Sequence, residues 1–175
     1  MLAIEHKANI PFQASLITRA EELVDRKLRS DVRAIDGVHQ AVASVTAPRC
    51  ICSNSRSERI AFMLEKVRLL PLFEGRIFSA LETPSKKTKP APDVFLHAAQ
   101  VLKADPANTF VIEDSAHGIH GARAAGMRVI GFTGAAHSYP GHADILTEAG
   151  AETVINRWSD LKSVLAALSE WSQDA

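Results

Sequence analysis

The sequence predicts an α/β fold, a mainly parallel sheet with helices on both faces. Short apolar runs alternate with segments of helical spacing along most of the chain. That alternation is the signature of strand–helix–strand units. The runs are apolar throughout, as strands covered on both faces require. The 175 residues are 46% hydrophobic and 23% charged, enough apolar material for one ordinary domain. This composition excludes a disordered chain, a collagen-like fibre and a low-complexity tail.

Residues 1 to about 34 read as helical. Thr18 is placed to cap a helix, with Glu21 three residues on to complete a capping box. Leu23, Val24 and Leu28 follow on helical spacing. Asp36-Gly37 marks a turn. Val38 to Val45 reads as a short helix and Arg49 to Ser53 as a buried strand. Ser57 to Val67 carries Ile60, Leu64 and Val67 on one helical face, and Arg76 to Ala80 is a second strand. Ala80 to Pro90 is irregular, rich in Lys and Pro, and long enough to suggest function. Pro92 opens a helix to about Leu102. Thr109 to Glu113 is a third strand. Ala116 to Ala125 is a helix stopped by Gly126. Met127 to Phe132 and Thr153 to Ile155 are the last strands, and Ser159 caps a final helix through Trp171.

Lys+Arg and Asp+Glu both number 20, so no global basic field exists to attract nucleic acid or an anionic membrane. No apolar run has the length of a membrane span. The first residues, MLAIEHKANIPFQ, lack the apolar core of a signal peptide, so a cytoplasmic location is expected. Cys50 and Cys52 are read as buried, reduced thiols, because neighbours on one strand are poorly placed for a mutual disulfide.

Ligands of an open parallel sheet bind beyond the carboxyl ends of its strands, and three strand ends carry suggestive residues. The first runs out into Ser53, Asn54 and Ser55, whose hydroxyls, amide and main-chain N–H groups suit a phosphate. The plain alternative is a helix cap. The second is Lys86-Lys87-Thr88-Lys89 before Pro90 and Pro92, which hold the backbone after Lys89 rigid. The alternative is a solvated loop with Asp93 helping to start the helix. The third is Glu113-Asp114-Ser115. Adjacent acids repel unless solvated, protonated or metal-bound, and hard oxygens of this kind suit Mg²⁺. The alternative is an Asp114 cap with Glu113 exposed. Hydroxyl, lysine and acid pair at successive strand ends would converge on one crevice, a site for phosphate and Mg²⁺.

At ICSNS, KPAPDVF and VIEDSAHGIHGARAAGM the sequence resembles the haloacid dehalogenase (HAD)-like hydrolase superfamily. The likeness is to its helical-cap phosphatases and phosphomutases, the phosphoglycolate phosphatase-like and β-phosphoglucomutase-like enzymes, over about residues 15 to 170. The resemblance implies a Rossmann-like core with a helical cap. By it residues 1–35 are the second half of the cap and residues 36–175 the core. It implies a Mg²⁺-dependent phosphatase acting on a small phosphorylated metabolite through an aspartyl-phosphate. Ser53 and the Asn54 backbone would bind the phosphoryl group. Lys89 would neutralise it, Asp114 and Glu113 would hold the metal, and Ser115 would support them.

One departure is large. The family's nucleophile motif, an apolar strand ending Asp-x-Asp-Gly, does not occur. The single Asp-Gly, Asp36-Gly37, has no acid two residues before it. The family's first strand lies between the strands ending at Ser53 and Glu113, so those strands are expected to face an empty position. An upstream segment, closure of the two strands, or another segment filling the gap would each answer this. A catalytically inactive phosphate- or metal-binding remnant, or a pure interaction protein, is the competing function. His117, His120, His137 and His142 are read as surface or loop histidines, Arg123 as a surface residue, and Trp158 and Trp171 as packing for the final helix.

Overall fold

The computed structural model describes residues 14–171, so the leader reading at the extreme N-terminus lies outside the described residues. The chain divides into two compact units at Arg33/Ala34. The first unit is built on helix α1 (Ala14–Asp31). Thr18 lies within this helix and does not cap it. Leu16, Leu23 and Val24 are exposed along it.

The second unit alternates helices and parallel strands as the pattern requires. In order they are α2 (Val38–Ser44), β1 (Ile51–Ser53), α3 (Ser57–Lys66), β2 (Ile77–Ser79), α4 (Asp93–Leu102), β3 (Phe110–Glu113), α5 (Ala116–Ala124), β4 (Arg128–Phe132), α6 (His142–Glu148), β5 (Thr153–Ile155) and α7 (Leu161–Trp171). Helix α6 was not expected from the sequence, which reads its start as loop. It begins after Gly141, whose φ of 83° is left-handed and therefore open to glycine. Ser159 lies in a 3₁₀ turn, Trp158–Asp160, just before α7.

The strands form two parallel sheets, β1–β2 and β3–β4–β5. Ile51 pairs with Ile77 and Ser53 with Ser79; Glu113 pairs with Gly131. Among the described residues, β1 and β3 each have a strand partner on one side only. The two strands do not close up on each other.

Both sheets share their cores. One cluster joins Val94, Phe95 and Ala99 of α4, Ile119 and Ala122 of α5, Val129 and Leu146, with Cys52 and Val111 packed against it. Across the second sheet, Ile130, Phe132, Ile155, Ala41 and Leu161 form another. Val129 and Ile130 thus face opposite ways, as the twofold period of a strand dictates. Trp158 lies against Phe132, ring centroids 4.6 Å apart, and so packs the start of the last helix as expected. The side chain of Trp171 lies outside the described residues.

Candidate phosphate and metal site

The three strand ends meet around one lysine. In β1 the main-chain groups of Ile51 and Ser53 bond to β2, through Ile51 N–H to Arg76 O and Ala80 N–H to Ser53 O. Alternation therefore turns the Cys52 carbonyl away from β2. Lys89 Nζ donates to that carbonyl at 3.0 Å and to Glu113 Oε2 at 2.7 Å. Its ammonium thus spans from the end of one sheet to the end of the other. It also lies 4.8 Å from the centroid of the Phe95 ring. The Lys89 and Glu113 side chains are 10% and 11% exposed, so the solvated-loop reading of Lys89 fails. Lys86 and Lys87, by contrast, are exposed.

Asn54 fixes the lysine from below. Its Oδ1 accepts from Lys89 N–H at 2.8 Å, and its Nδ2 donates to Lys89 O at 3.4 Å. The Lys89–Pro90 peptide is cis. Ser53 Oγ accepts from Ser55 N–H at 3.0 Å. Neither Ser53 nor Asn54 caps α3. That cap comes from Glu82, whose Oε1 accepts from Ser57 N–H at 2.9 Å. The bond, to Ser57, holds the Glu82 carboxyl below its usual range. Asp93 makes no side-chain cap on α4.

The acid pair divides. Ser115, not Asp114, caps α5, accepting from Gly118 N–H at 3.1 Å. The same hydroxyl donates to Glu113 Oε1 at 2.8 Å. Both Glu113 oxygens are therefore engaged, and Glu113 is not exposed as the capping alternative required. Gly118 makes this possible: a Cβ there would stand 2.0 Å from the Glu113 carboxyl carbon. Asp114 is 43% exposed and meets His137, Nε2 to Oδ2 at 3.3 Å. Partial burial, then the Glu113 charge, raise the Asp114 carboxyl above its ordinary range, with His137 opposing.

Sequence reasoning left His137 and His142 outside the site. His142 is buried and lies 3.0 Å, Nε2 to O, from the Asp114 carbonyl. No period or motif encodes that approach, because it depends on how the loop after β4 folds back. His117, His120 and Arg123 are exposed, as expected. The cysteines are free but half-buried. A hydrogen bond from the Cys52 thiol lowers the Cys50 thiol, against its burial and with help from Arg76. The same bond and burial push Cys52 well up.

Chemically, the site offers a fixed cation beside an exposed carboxylate and a strand-end hydroxyl. The outer oxygens of Asp114 are hard donors at the surface, in a place where two adjacent negative charges raise the cost of ionisation. A hydrated divalent cation fits that donor, since Mg²⁺ commonly takes one or two carboxylates and keeps several waters. Among the described residues, no three His, Cys, Asp or Glu side chains form a ready-made metal cage.

Comparison with known proteins follows the same lines. The chain is 28% identical over 141 residues to the 6-phosphogluconate phosphatase of Escherichia coli, covering 80% of this chain and 62% of that enzyme. It spans less than two thirds of the length of that enzyme and 45% of that of CbbY from Rhodobacter capsulatus, to which it is 33% identical over 120 residues. A conserved haloacid dehalogenase-like protein from Agrobacterium tumefaciens superposes with a TM-score of 0.87 at 55% identity, covering 96% of this chain and 76% of that one. A HAD family hydrolase from Deinococcus radiodurans, solved with bound phosphate and sodium, gives 0.77 at 26% identity, covering 94% and 72%. The family model for haloacid dehalogenase-like hydrolases matches residues 3–132, so the chain belongs to that family.

Proposed function

We propose that this chain carries the phosphate- and metal-binding part of a Mg²⁺-dependent phosphatase site for a small phosphorylated metabolite. The observation that carries the reading is the Lys89 ammonium, held at the strand ends between the Cys52 carbonyl and Glu113. An ammonium has three N–H donors, and two are used there. The third is the donor for a phosphoryl oxygen. Ser53 Oγ accepts from Ser55 N–H, which leaves its own proton for a second phosphoryl oxygen. The Asn54 side chain is spent on the Lys89 backbone, so any contact it makes to phosphate is through its main-chain N–H. Asp114 is the direct metal ligand, and Glu113 sits beside the metal with Ser115 and Lys89 neutralising it. Bound there, Mg²⁺ would supply charge neutralisation for the phosphoryl oxygens.

No residue of the chain has the nucleophile's motif, so the attacking aspartate of the family reaction is not among these 175 residues. Residues 1–35 are read as the second half of a helical cap and residues 36–175 as the core. The bound phosphate of the Deinococcus relative and the sugar-phosphate substrate named for the E. coli enzyme support the substrate class. Free thiols at Cys50 and Cys52 agree with a reducing, cytoplasmic setting.

The test is phosphate release from a panel of sugar phosphates and phosphoglycolate with Mg²⁺. The 175-residue chain should show none above background. Fusing it behind a strand ending Asp-x-Asp-Gly should create activity, and Asn at the first of those aspartates should abolish it. Turnover by the chain as it stands, undiminished by Asp114→Asn, would refute the assignment. A remnant with binding but no recoverable turnover would favour the competing reading.

A further inference from the structure

Neither the phosphate nor the metal chemistry of the site uses His142, yet this side chain is bonded through both ring nitrogens. It is the first residue of α6 and is 5% exposed. Its Nε2 stands 3.0 Å from the Asp114 carbonyl oxygen and its Nδ1 2.8 Å from Ser138 Oγ. A carbonyl only accepts, so Nε2 carries the proton and Nδ1 accepts from the serine hydroxyl. One tautomer satisfies both bonds, and turning the ring breaks both. The Tyr139 ring stacks on the imidazole, 4.9 Å between centroids and 15° between planes.

The backbone that carries His142 is fixed as well. Leu146, one turn further along the same face of α6, is fully buried. His142 N–H donates to Tyr139 O at 3.1 Å and Ser138 N–H to Ala135 O at 3.0 Å, so two successive turns lead into the helix. At the other end of the segment, Thr133 N–H donates to Ile155 O at 2.9 Å and fastens it to β5. The residues flanking Asp114 are held too. Glu113 pairs with Gly131 in the sheet, and Ser115 accepts from Gly118 N–H. The carbonyl of Asp114 is the remaining handle on this bend. A bond to it fixes ψ at Asp114, and with it the direction in which the carboxylate leaves the backbone. That side chain is 43% exposed, so its orientation has to come mainly from the main chain.

We propose that His142 is a positioning residue for Asp114: locked in one tautomer by Ser138, it holds the Asp114 carbonyl and so aims the carboxylate at the cation. The inference rests on the reading of Asp114 as a Mg²⁺ ligand. His142 touches neither metal nor substrate. It acts as the outer partners of metal ligands do, by removing orientations that the ligand would otherwise have to give up on binding. Mg²⁺ demands near-ideal octahedral geometry, so a ligand aimed in advance matters to it.

The experiment titrates Mg²⁺ into the isotope-labelled 175-residue chain and reads the affinity from the NMR amide shifts of folded protein. Wild type should bind, and His142→Ala should weaken Mg²⁺ by about tenfold or more, as loss of an outer partner does. His142→Gln offers a donor and an acceptor in place of the two ring nitrogens, and should stay within about threefold of wild type. Ser138→Ala, which frees the ring to change tautomer, should weaken Mg²⁺ without reaching the loss in His142→Ala. Val42→Ala, a truncation in the core beneath α2, should lower the melting temperature and leave the affinity within about twofold. Suppose Asp114→Asn loses Mg²⁺ but His142→Ala binds as wild type does, or His142→Gln loses as much as His142→Ala, or Val42→Ala loses as much. Then this inference falls and the metal-binding reading of Asp114 stands. If His142→Ala does not fold, the other two variants decide: wild-type affinity in Ser138→Ala, or a tenfold loss in His142→Gln, overturns the inference. Should wild type bind no Mg²⁺, or Asp114→Asn bind it as wild type does, the two fall together.

Discussion

Glu113 and Asp114 are consecutive carboxylates at the end of one strand, yet they belong to different halves of the site. Glu113 is 11% exposed and bonded through both oxygens, to Lys89 and Ser115. Asp114 is 43% exposed, and its carboxylate meets an exposed histidine. Glu113, the last residue of β3, falls inward against Gly118 of α5, whereas Asp114, in the bend after the strand, meets His137 of the β4–α6 loop. The inward acid is neutralised by the protein itself. The outward acid keeps an unfavourable charge that a bound cation would relieve. Sharing a motif, the two therefore have separable surroundings: one holds the lysine, the other is open to solvent.

The largest effect should come from breaking the inward half. Lys89→Ala leaves a buried carboxylate and the Cys52 carbonyl without their cation. Removing one partner of a buried pair costs about 3–5 kcal/mol. Urea unfolding of the variant should show a loss of that order, with part of it recovered in Lys89→Ala combined with Glu113→Gln. A loss below about 1 kcal/mol, as for surface pairs, would mean that the inward half is not the structural one.

That Lys89 is held in place was legible in the sequence, because Pro90 and Pro92 fix the chain beside it. Its partners were less so. A main-chain carbonyl such as that of Cys52 carries no sequence signal, and its direction follows only from which residues of β1 bond to β2. Ser115 and Asp114 are both good cap residues, so the pattern could not decide between them. Packing decides, because Glu113 needs the Ser115 hydroxyl. The strands were plain as apolar runs, whereas α6 starts at a His that follows a Gly, a pair that reads equally well as loop. His137 reaches Asp114 through loop closure, which no periodicity records.

Gly118 gives the next test of the inward half. An Ala there would gain helix propensity of up to about 1 kcal/mol in an ordinary helix. Here its Cβ would meet the Glu113 carboxyl group, which cannot move without releasing Lys89 and Ser115. Gly118→Ala should therefore destabilise, by about 1–3 kcal/mol as overpacking does. A gain in melting temperature would show that Glu113 shifts freely.

The smallest effect belongs to the outward half and depends on pH. Burial first and the Glu113 charge second raise the folded-state pKa of Asp114, so its protonated form is the one the fold favours. That contribution is complete below the unfolded carboxylate range and is lost as pH rises through the raised folded value. In metal-free buffer Asp114→Asn should thus match wild type in acid and melt slightly higher at neutral pH. A variant less stable than wild type at neutral pH would mean that Asp114 is held by the protein as firmly as Glu113.

The separation of the two acids is tested most directly by the metal-induced rise in melting temperature, measured for wild type, Asp114→Asn and Glu113→Gln. Mg²⁺ should raise the melting temperature of wild type. It should do so far less for Asp114→Asn, whose metal-free stability at neutral pH is undiminished. Glu113→Gln should lose metal-free stability and keep most of the rise. A rise that survives Asp114→Asn and disappears in Glu113→Gln would contradict the assignment, because the inward acid would then be the one that faces the metal.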